Sequence, residues 1–280
     1  MPTMQIKEYL LHYTWDLAYG RFDSSVADEG VSYNHLTIVK NPYKNKWFAD
    51  PFILREDNND LHLLVEEFDF GVGRGRIAHI VIDKSTNKIT CCKIILEAAT
   101  HLSFPAIYEI EGKLYVHPEN AASSKSIIYE YNQEQEALVN PMVLIDEPLT
   151  DAIIHRAGDL YEVVSTKNPT PNGNMLYFYR SESFFGPYTL ADKVAYPSNK
   201  ARMAGAFLGD VRPAQNCNGA YGRSVVFYKN NKEIKELKPS GVKYAGLHTF
   251  NTLNNTFVVD LKKYDFALLY YIKERLKGRR

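Results

Sequence analysis

Residues 49–67 read ADPFILREDNNDLHLLVEE. Two apolar runs, PFIL and LHLLV, flank a polar cluster whose Asn and Asp residues carry turn chemistry. The stretch predicts a β-hairpin. Asp50 sits oddly in it. An ionisable residue leads a strand that otherwise reads as buried, and burying a carboxylate is costly unless it is paired or used.

The pattern returns along the chain. It reappears as SFPAIYEIEGKLYVHPE at 103–119, as TDAIIHRAGDLYEVVST at 150–166, more loosely as RMAGAFLGDVRPAQ at 202–215, and as LHTFNTLNNTFVVD at 247–260. From Asp50 to Phe104, Asp151, Arg202 and His248 the steps are 54, 47, 51 and 46 residues. A period near 50 lies in the range of propeller blades. Between the hairpins run weaker alternating segments, GRIAHIVID, SIIYEYN, MLYFYRSES and GRSVVFYK, which read as outer strands. Repeated four-stranded units of this kind predict an all-β fold, a five-bladed β-propeller. A β-sandwich does not predict equivalent polar residues every fifty positions. The early segment YTWDLAYGRF is expected to close the ring with the last blade.

The chain has 280 residues, within the range of a single propeller, and is 45% hydrophobic, enough for a sizeable core. Lys plus Arg and Asp plus Glu are both 33, so no net field draws it to nucleic acid. Residues 262–280, KKYDFALLYYIKERLKGRR, read as a short basic amphipathic C-terminal helix, dividing the chain into a propeller over 1–261 and a tail over 262–280. Its apolar run is too short to span a bilayer. It either packs on the propeller or touches anionic lipid at the membrane surface. The first twenty residues lack the pattern of a secretory signal, and Cys91, Cys92 and Cys217 show no metal-ligand spacing, so a reduced, cytoplasmic setting is expected.

In a propeller the innermost strands line a central channel, so the residues that lead them share one mouth. Asp50, Ser103, Asp151, Arg202 and His248 are therefore expected together, with Arg202 and His248 compensating the aspartates. GVGRGRIAH at 71–79 is followed by strand-like sequence, so it reads as a hairpin turn and not a phosphate loop. No zinc pattern, Ser–His–Asp motif or nucleotide fingerprint appears, and neither metal nor cofactor is expected.

The segments ADPF, HLSFPAIYEIEGKLYVHPE, TDAIIHRAGDLYEV, RMAGAFL, RPAQNCNGAYGR and GLHTFN together resemble a known domain. It is the N-terminal propeller of glucosamine inositolphosphorylceramide transferases, found also in bacterial proteins fused to formyltransferases. It is similar to the five-bladed propellers of glycoside hydrolase families 43, 32 and 68. The resemblance spans roughly residues 10 to 260. It implies a carbohydrate-active or carbohydrate-binding propeller of glycan biosynthesis, with a glycosyltransferase or formyltransferase as its partner.

Family 43 places an Asp on blade one, a second Asp on blade three, a Glu on blade four and a His on blade five. Asp50, Asp151 and His248 match, but Arg202 stands where the Glu belongs. Hydrolysis generally needs one carboxyl to protonate the leaving oxygen and another as base or nucleophile. Glu119 is then the candidate acid, with Glu66 and Glu67 as further options. The resemblance thus implies a catalytic set of Asp50, Asp151 and Glu119. Ser103, Arg202, Arg212, Gln215 and His248 would bind a glycan, sugar phosphate or sugar nucleotide.

Structural roles compete with each assignment. Asp50 could cap a turn before Pro51, Asp151 could simply pair with Arg202, and Glu119 could hold a loop. His248 could be a core histidine, and Arg212 a strut between blades. The absent blade-four Glu motivates a second reading, a non-catalytic sugar-recognition module. A purely structural interaction propeller is a third.

Overall fold

The computed structural model describes residues 11–23, 36–239 and 243–266. The chain enters through β1 (Leu11–Arg21) and the short β2 (Thr37–Ile38), then builds its blades in sequence order. Blade one holds β3 (Lys46–Glu56), β4 (Asp60–Asp69), β5 (Arg74–Asp83) and β6 (Lys88–Leu96). Blade two holds β7 (Ser103–Ile110), β8 (Lys113–Glu119), β9 (Ser126–Asn132) and β10 (Ala137–Ile145). Blade three holds β11 (Leu149–Ala157), β12 (Leu160–Lys167), β13 (Met175–Ser181) and β14 (Thr189–Ala195). Blade four holds β15 (Val211–Asn216), β16 (Ser224–Lys229) and β17 (Lys232–Leu237), and blade five starts with β18 (Phe250–Leu253) and β19 (Thr256–Phe266).

The ring closes as expected. β1 pairs antiparallel with β19 from Leu11↔Phe266 to Arg21↔Thr256, and the fifth sheet runs β18-β19-β1-β2. Chain ends that lie far apart in sequence thus share one blade. This pairing locks the ring shut, and each blade keeps its own short outer edge.

Burial follows from blades packing face to face. β3 and β4 are buried on both faces along most of their length, whereas the outer β14 is almost wholly exposed. Leu17, Phe48, Leu63, Val65, Ile80 and Val258 form one core layer between blades five and one. Phe52, Phe104, Ile153, Val164 and Val226 form another around blades one to four. Each such aliphatic or aromatic side chain contributes roughly 1.5–3 kcal/mol when fully buried.

The three well-matched repeats share a backbone kink. Asp50, Phe104 and Asp151 have φ of 51°, 45° and 50°, and each lies inside a bulge, at Ala49/Phe52, Ser103/Ala106 and Thr150/Ile153. Left-handed φ is unfavourable for such residues. The kink turns two of the N–H groups toward the preceding blade. Phe104 N–H donates to Asp50 Oδ2 at 3.1 Å, and Asp50 N–H donates to Asp260 Oδ2 at 3.0 Å. Asp50 is therefore one link in a blade-to-blade chain of carboxylates.

Two expectations need correction. Blade four lacks a regular inner strand: residues 201–208 meet the next strand through the isolated bridges Met203↔Ala214 and Leu208↔Val211 and bond to blade five through Phe250 N–H to the Ala204 carbonyl at 2.7 Å. Gly205 explains the irregularity. It has φ of 156°, and a Cβ there would lie 2.0 Å from the Phe250 carbonyl oxygen, so blades four and five meet through bare backbone. The helix expected from Lys262 does not start there. Lys262–Phe266 continue β19 because β1 supplies backbone partners along the whole segment, and the boundary after residue 261 falls inside that strand. Residues 267–280 lie outside the described residues, and so does most of the expected tail helix. Apart from one 3-10 turn at Ala121–Ser123, the described residues contain no helix.

Candidate functional site

A cavity of about 240 Å³ opens where the inner strands begin. All five blades contribute to it. Trp47, Glu66 and Phe68 come from blade one, with His101 from the connection that follows; Ser103 and Glu119 come from blade two. Thr150, Asn168 and Pro171 come from blade three, Arg202 and Tyr221 from blade four, and Tyr13, Trp15 and His248 from blade five. The volume lies just under the roughly 300–1,000 Å³ of drug-sized clefts, so it suits a small ring.

Aromatic rings form much of the wall. Trp47 and Phe68 stack with centroids 4.8 Å apart and planes 3° from parallel. Trp15 stacks on His248 at 4.0 Å, and Tyr221 meets the same imidazole edge-on at 5.2 Å. The Arg202 guanidinium lies 5.4 Å from the Tyr221 ring centre.

Asp50 and Asp151 do not line the cavity. They are buried behind it, each held by a lining residue. Arg202 clamps Asp151 through Nε at 2.6 Å and Nη2 at 3.1 Å, while Gln215 Nε2 donates to the same carboxylate at 2.7 Å. Burial works against the Arg202 charge, but Asp151 more than offsets it and holds the guanidinium protonated. His248 Nδ1 sits 2.7 Å from Asp260 and its Nε2 sits 3.4 Å from Asp50. Asp260 also accepts from the backbone N–H groups of His248 and Thr249 at 2.9 and 3.0 Å, and from the Thr249 hydroxyl. Burial alone would raise the Asp260 pKa, but His248 and these donors lower it. Asp50 has fewer donors, and burial pushes it up to about 8 despite the pull of His248.

The carboxyls that reach the cavity are Glu66 and Glu119. Glu119 accepts from Ala121 N–H at 2.9 Å and from Ser103 Oγ at 3.2 Å. Burial, reinforced by the nearby negative charge of Asp151, raises its pKa. His101 accepts a hydrogen bond from Gly75 N–H at Nδ1, and its Nε2 lies 3.2 Å from Glu66 Oε1 but off the line of a good hydrogen bond.

Among the described residues six buried side-chain polar atoms have no hydrogen-bond partner, and three of them belong to residues lining this cavity: Trp47 Nε1, Glu66 Oε1 and Thr150 Oγ1. Native interiors leave few such atoms unmatched, and each calls for a partner, a bridging water or a bound ligand.

The sequence-derived set therefore divides. Ser103, Glu119, Arg202 and His248 line one cavity. Asp50, Asp151 and Gln215 support it from behind. Arg212 is elsewhere, against the expectation that it joins the mouth. It is sandwiched between Tyr196, tied to blade three, and Tyr228 of blade four at 4.9 and 4.8 Å and donates to the Ala201 carbonyl at 3.0 Å, which makes it a strut between those blades. Glu67 also leaves the candidate list, because Lys46 and Arg76 hold it at 2.5 and 3.0 Å.

Residues 26–245 match the family described as glucosamine inositolphosphorylceramide transferase 1, N-terminal. The chain belongs to this family. Glucosamine inositolphosphorylceramide transferase 1 of Oryza sativa, in its japonica and indica subspecies, is 28% identical over 214 residues, covering 71% of this chain and 28% of each relative. The chain thus spans a little over a quarter of the length of these relatives. In fold it is similar to an α-L-arabinofuranosidase of Podospora anserina solved with cellotriose, at a TM-score of 0.55 and 9% identity, covering 81% of this chain and 93% of that one.

Several site residues of this family member escaped sequence reasoning. Trp47 stands three positions before Asp50, and Asp260 closes the fifth repeat, so the repeat phase pointed at both. Tyr13, Trp15, His101 and Tyr221 lie outside the hairpins and carried no such signal. Asp50, His248 and Asp260 bring metal-ligating atoms within 4.8 Å of one another, but those atoms already bind each other and the backbone.

Proposed function

We propose that this propeller is a sugar-recognition module of glycan assembly that seats one sugar ring in the central cavity. The unmatched Trp47 Nε1, Glu66 Oε1 and Thr150 Oγ1 carry this reading. Hydroxyl groups both donate and accept, so a sugar supplies an acceptor for the indole N–H and donors for the carboxylate. The Trp47–Phe68 stack offers apolar surface beside them. The relatives are named as transferases, and a chain covering 28% of their length fits a module that presents a glycan to transfer chemistry housed elsewhere.

The positions expected to catalyse favour binding. Asp151 is neutralised by Arg202, and an Asp50 pushed up to about 8 is mostly protonated at neutral pH and so holds no lone pair ready to take a proton. A second, hydrolytic reading rests on Glu119, whose raised pKa suits a general acid, with Glu66 as its partner.

Glycan-array screening followed by calorimetry tests the proposal. Trp47→Phe keeps the ring stack and deletes one donor. It should weaken sugar binding about tenfold, the worth of one or two kcal/mol, with little change in melting temperature. Glu119→Gln should leave affinity nearly intact. Absence of any saturable sugar binding would sink the recognition reading. Cleavage of a glycosidic bond that disappears in Glu119→Gln would establish the hydrolytic one.

A further inference from the structure

The turn between β3 and β4 lies at the end of blade one remote from the cavity, since the cavity-lining Trp47 is near the start of β3 and Glu66 and Phe68 are near the end of β4. It reads DNNDLH, residues 57–62, and gathers ligating atoms of Asp57, Asp60 and His62 within 4.8 Å of one another. We propose that this turn is a divalent transition-metal site, with His62 Nε2 and the carboxylates of Asp57 and Asp60 as its ligands.

The histidine carries the argument. His62 is 8% exposed, and its Nδ1 lies 3.1 Å from Nε2 of His79 behind it. His79 in turn places Nδ1 3.5 Å from Glu136 Oε1. At 3.5 Å this is an electrostatic contact and not a hydrogen bond; with its proton on the nitrogen nearer that carboxylate, His79 accepts at Nε2. In that tautomer His62 donates from Nδ1 and keeps a lone pair on Nε2. That lone pair points to the turn, 3.7 Å from Asp57 Oδ2, too far for a hydrogen bond. Carboxylate-to-imidazole relays of this kind are how metal-binding histidines are oriented.

The carboxylates are prepared as well. Asp57 Oδ1 accepts from the N–H groups of Asn59 and Asp60 at 3.0 and 2.9 Å, leaving Oδ2 free to turn toward His62. The neighbouring cation Lys84 is engaged by Glu56 at 3.2 Å and by the Asp57 carbonyl. Ligand atoms around a tetrahedral ion with bonds of ~2.0–2.1 Å lie roughly 3.3 Å apart. The Asp57 side chain, 56% exposed, can close the remaining distance by rotation. One nitrogen and two carboxylates suit Zn²⁺, Co²⁺ or Mn²⁺ better than Ca²⁺, which prefers an all-oxygen shell.

Untagged protein, stripped with chelator, should bind one equivalent of Zn²⁺ in calorimetry, and Co²⁺ should give the visible absorption of a four-coordinate ion. Asp60→Asn and His62→Gln should each weaken binding at least tenfold. Glu136→Gln touches no ligand and lies at the surface, so it keeps the fold. It should still weaken binding about tenfold if the relay orients His62. Absence of stoichiometric Zn²⁺ binding by the folded wild-type chain, or equal binding by Asp60→Asn, overturns the site. Equal binding by Glu136→Gln overturns the relay.

Discussion

Asp50→Asn is the most informative substitution in the ring. Asn has the same shape, tolerates the left-handed φ of 51°, and still offers an oxygen to Phe104 N–H. What it lacks is the titrating proton. Burial pushes Asp50 up to about 8, so the folded protein keeps it protonated at neutral pH, whereas the unfolded chain ionises it near its ordinary 3.8. Between those two values the native state binds more protons than the unfolded state. Stability must therefore fall as pH rises across that window. Each pH unit is worth about 1.36 kcal/mol, so the loss from Asp50 reaches about 4 kcal/mol at pH 7 relative to acid. The variant cannot ionise and escapes that loss. Its stability relative to wild type should climb by about 4 kcal/mol between about pH 4 and pH 7. Glu119 also has a raised pKa and depresses stability in the same direction, but it is present in both proteins and largely cancels in the difference, whereas His248, which Asp50 helps to hold protonated, shifts with the substitution and belongs to the measured change. Urea midpoints measured across that range, with m-values to check for two-state behaviour, give the comparison. Parallel pH profiles for the two proteins would refute the reasoning, because they would mean that Asp50 is ionised in the native state and held by His248.

Arg202→Met removes the clamp and leaves the buried Asp151 carboxylate with Gln215 alone, which should cost roughly 3–5 kcal/mol by chemical denaturation. Adding Asp151→Asn should restore most of it, and a double variant as unstable as the single one would show that the charge is not the cause. Gly205→Ala drives a methyl group into the Phe250 carbonyl at a φ closed to other residues. The expected loss exceeds about 3 kcal/mol, and near-wild-type melting would mean that blades four and five do not meet through bare backbone.

The ring was legible because a blade is a local unit. Each hairpin folds on neighbours in sequence, so turn chemistry and a fifty-residue period sufficed to count blades and to foresee β1 closing the last one. The fourth repeat was the weakest match, and it proved the irregular blade, with Gly205 replacing strand pairing by close contact. The cavity was less legible because it is made by closure between repeats. Ser103, Arg202 and His248 were found because they keep the repeat phase and Glu119 because a hydrolytic reading needed another carboxyl, and Trp15, His101 and Tyr221 were not because they sit in connections or in the closing strand. The same distinction explains the aspartates. Repeat phase shows which residues lead the inner strands, but not which way their side chains turn. That direction is set by the kink at φ near 50°, which faces Asp50 toward the N–H of the next blade and Asp151 toward Arg202. A carboxylate used to join blades is no longer free to attack a sugar. The chemistry left to the cavity therefore belongs to residues whose polar atoms the ring leaves unmatched.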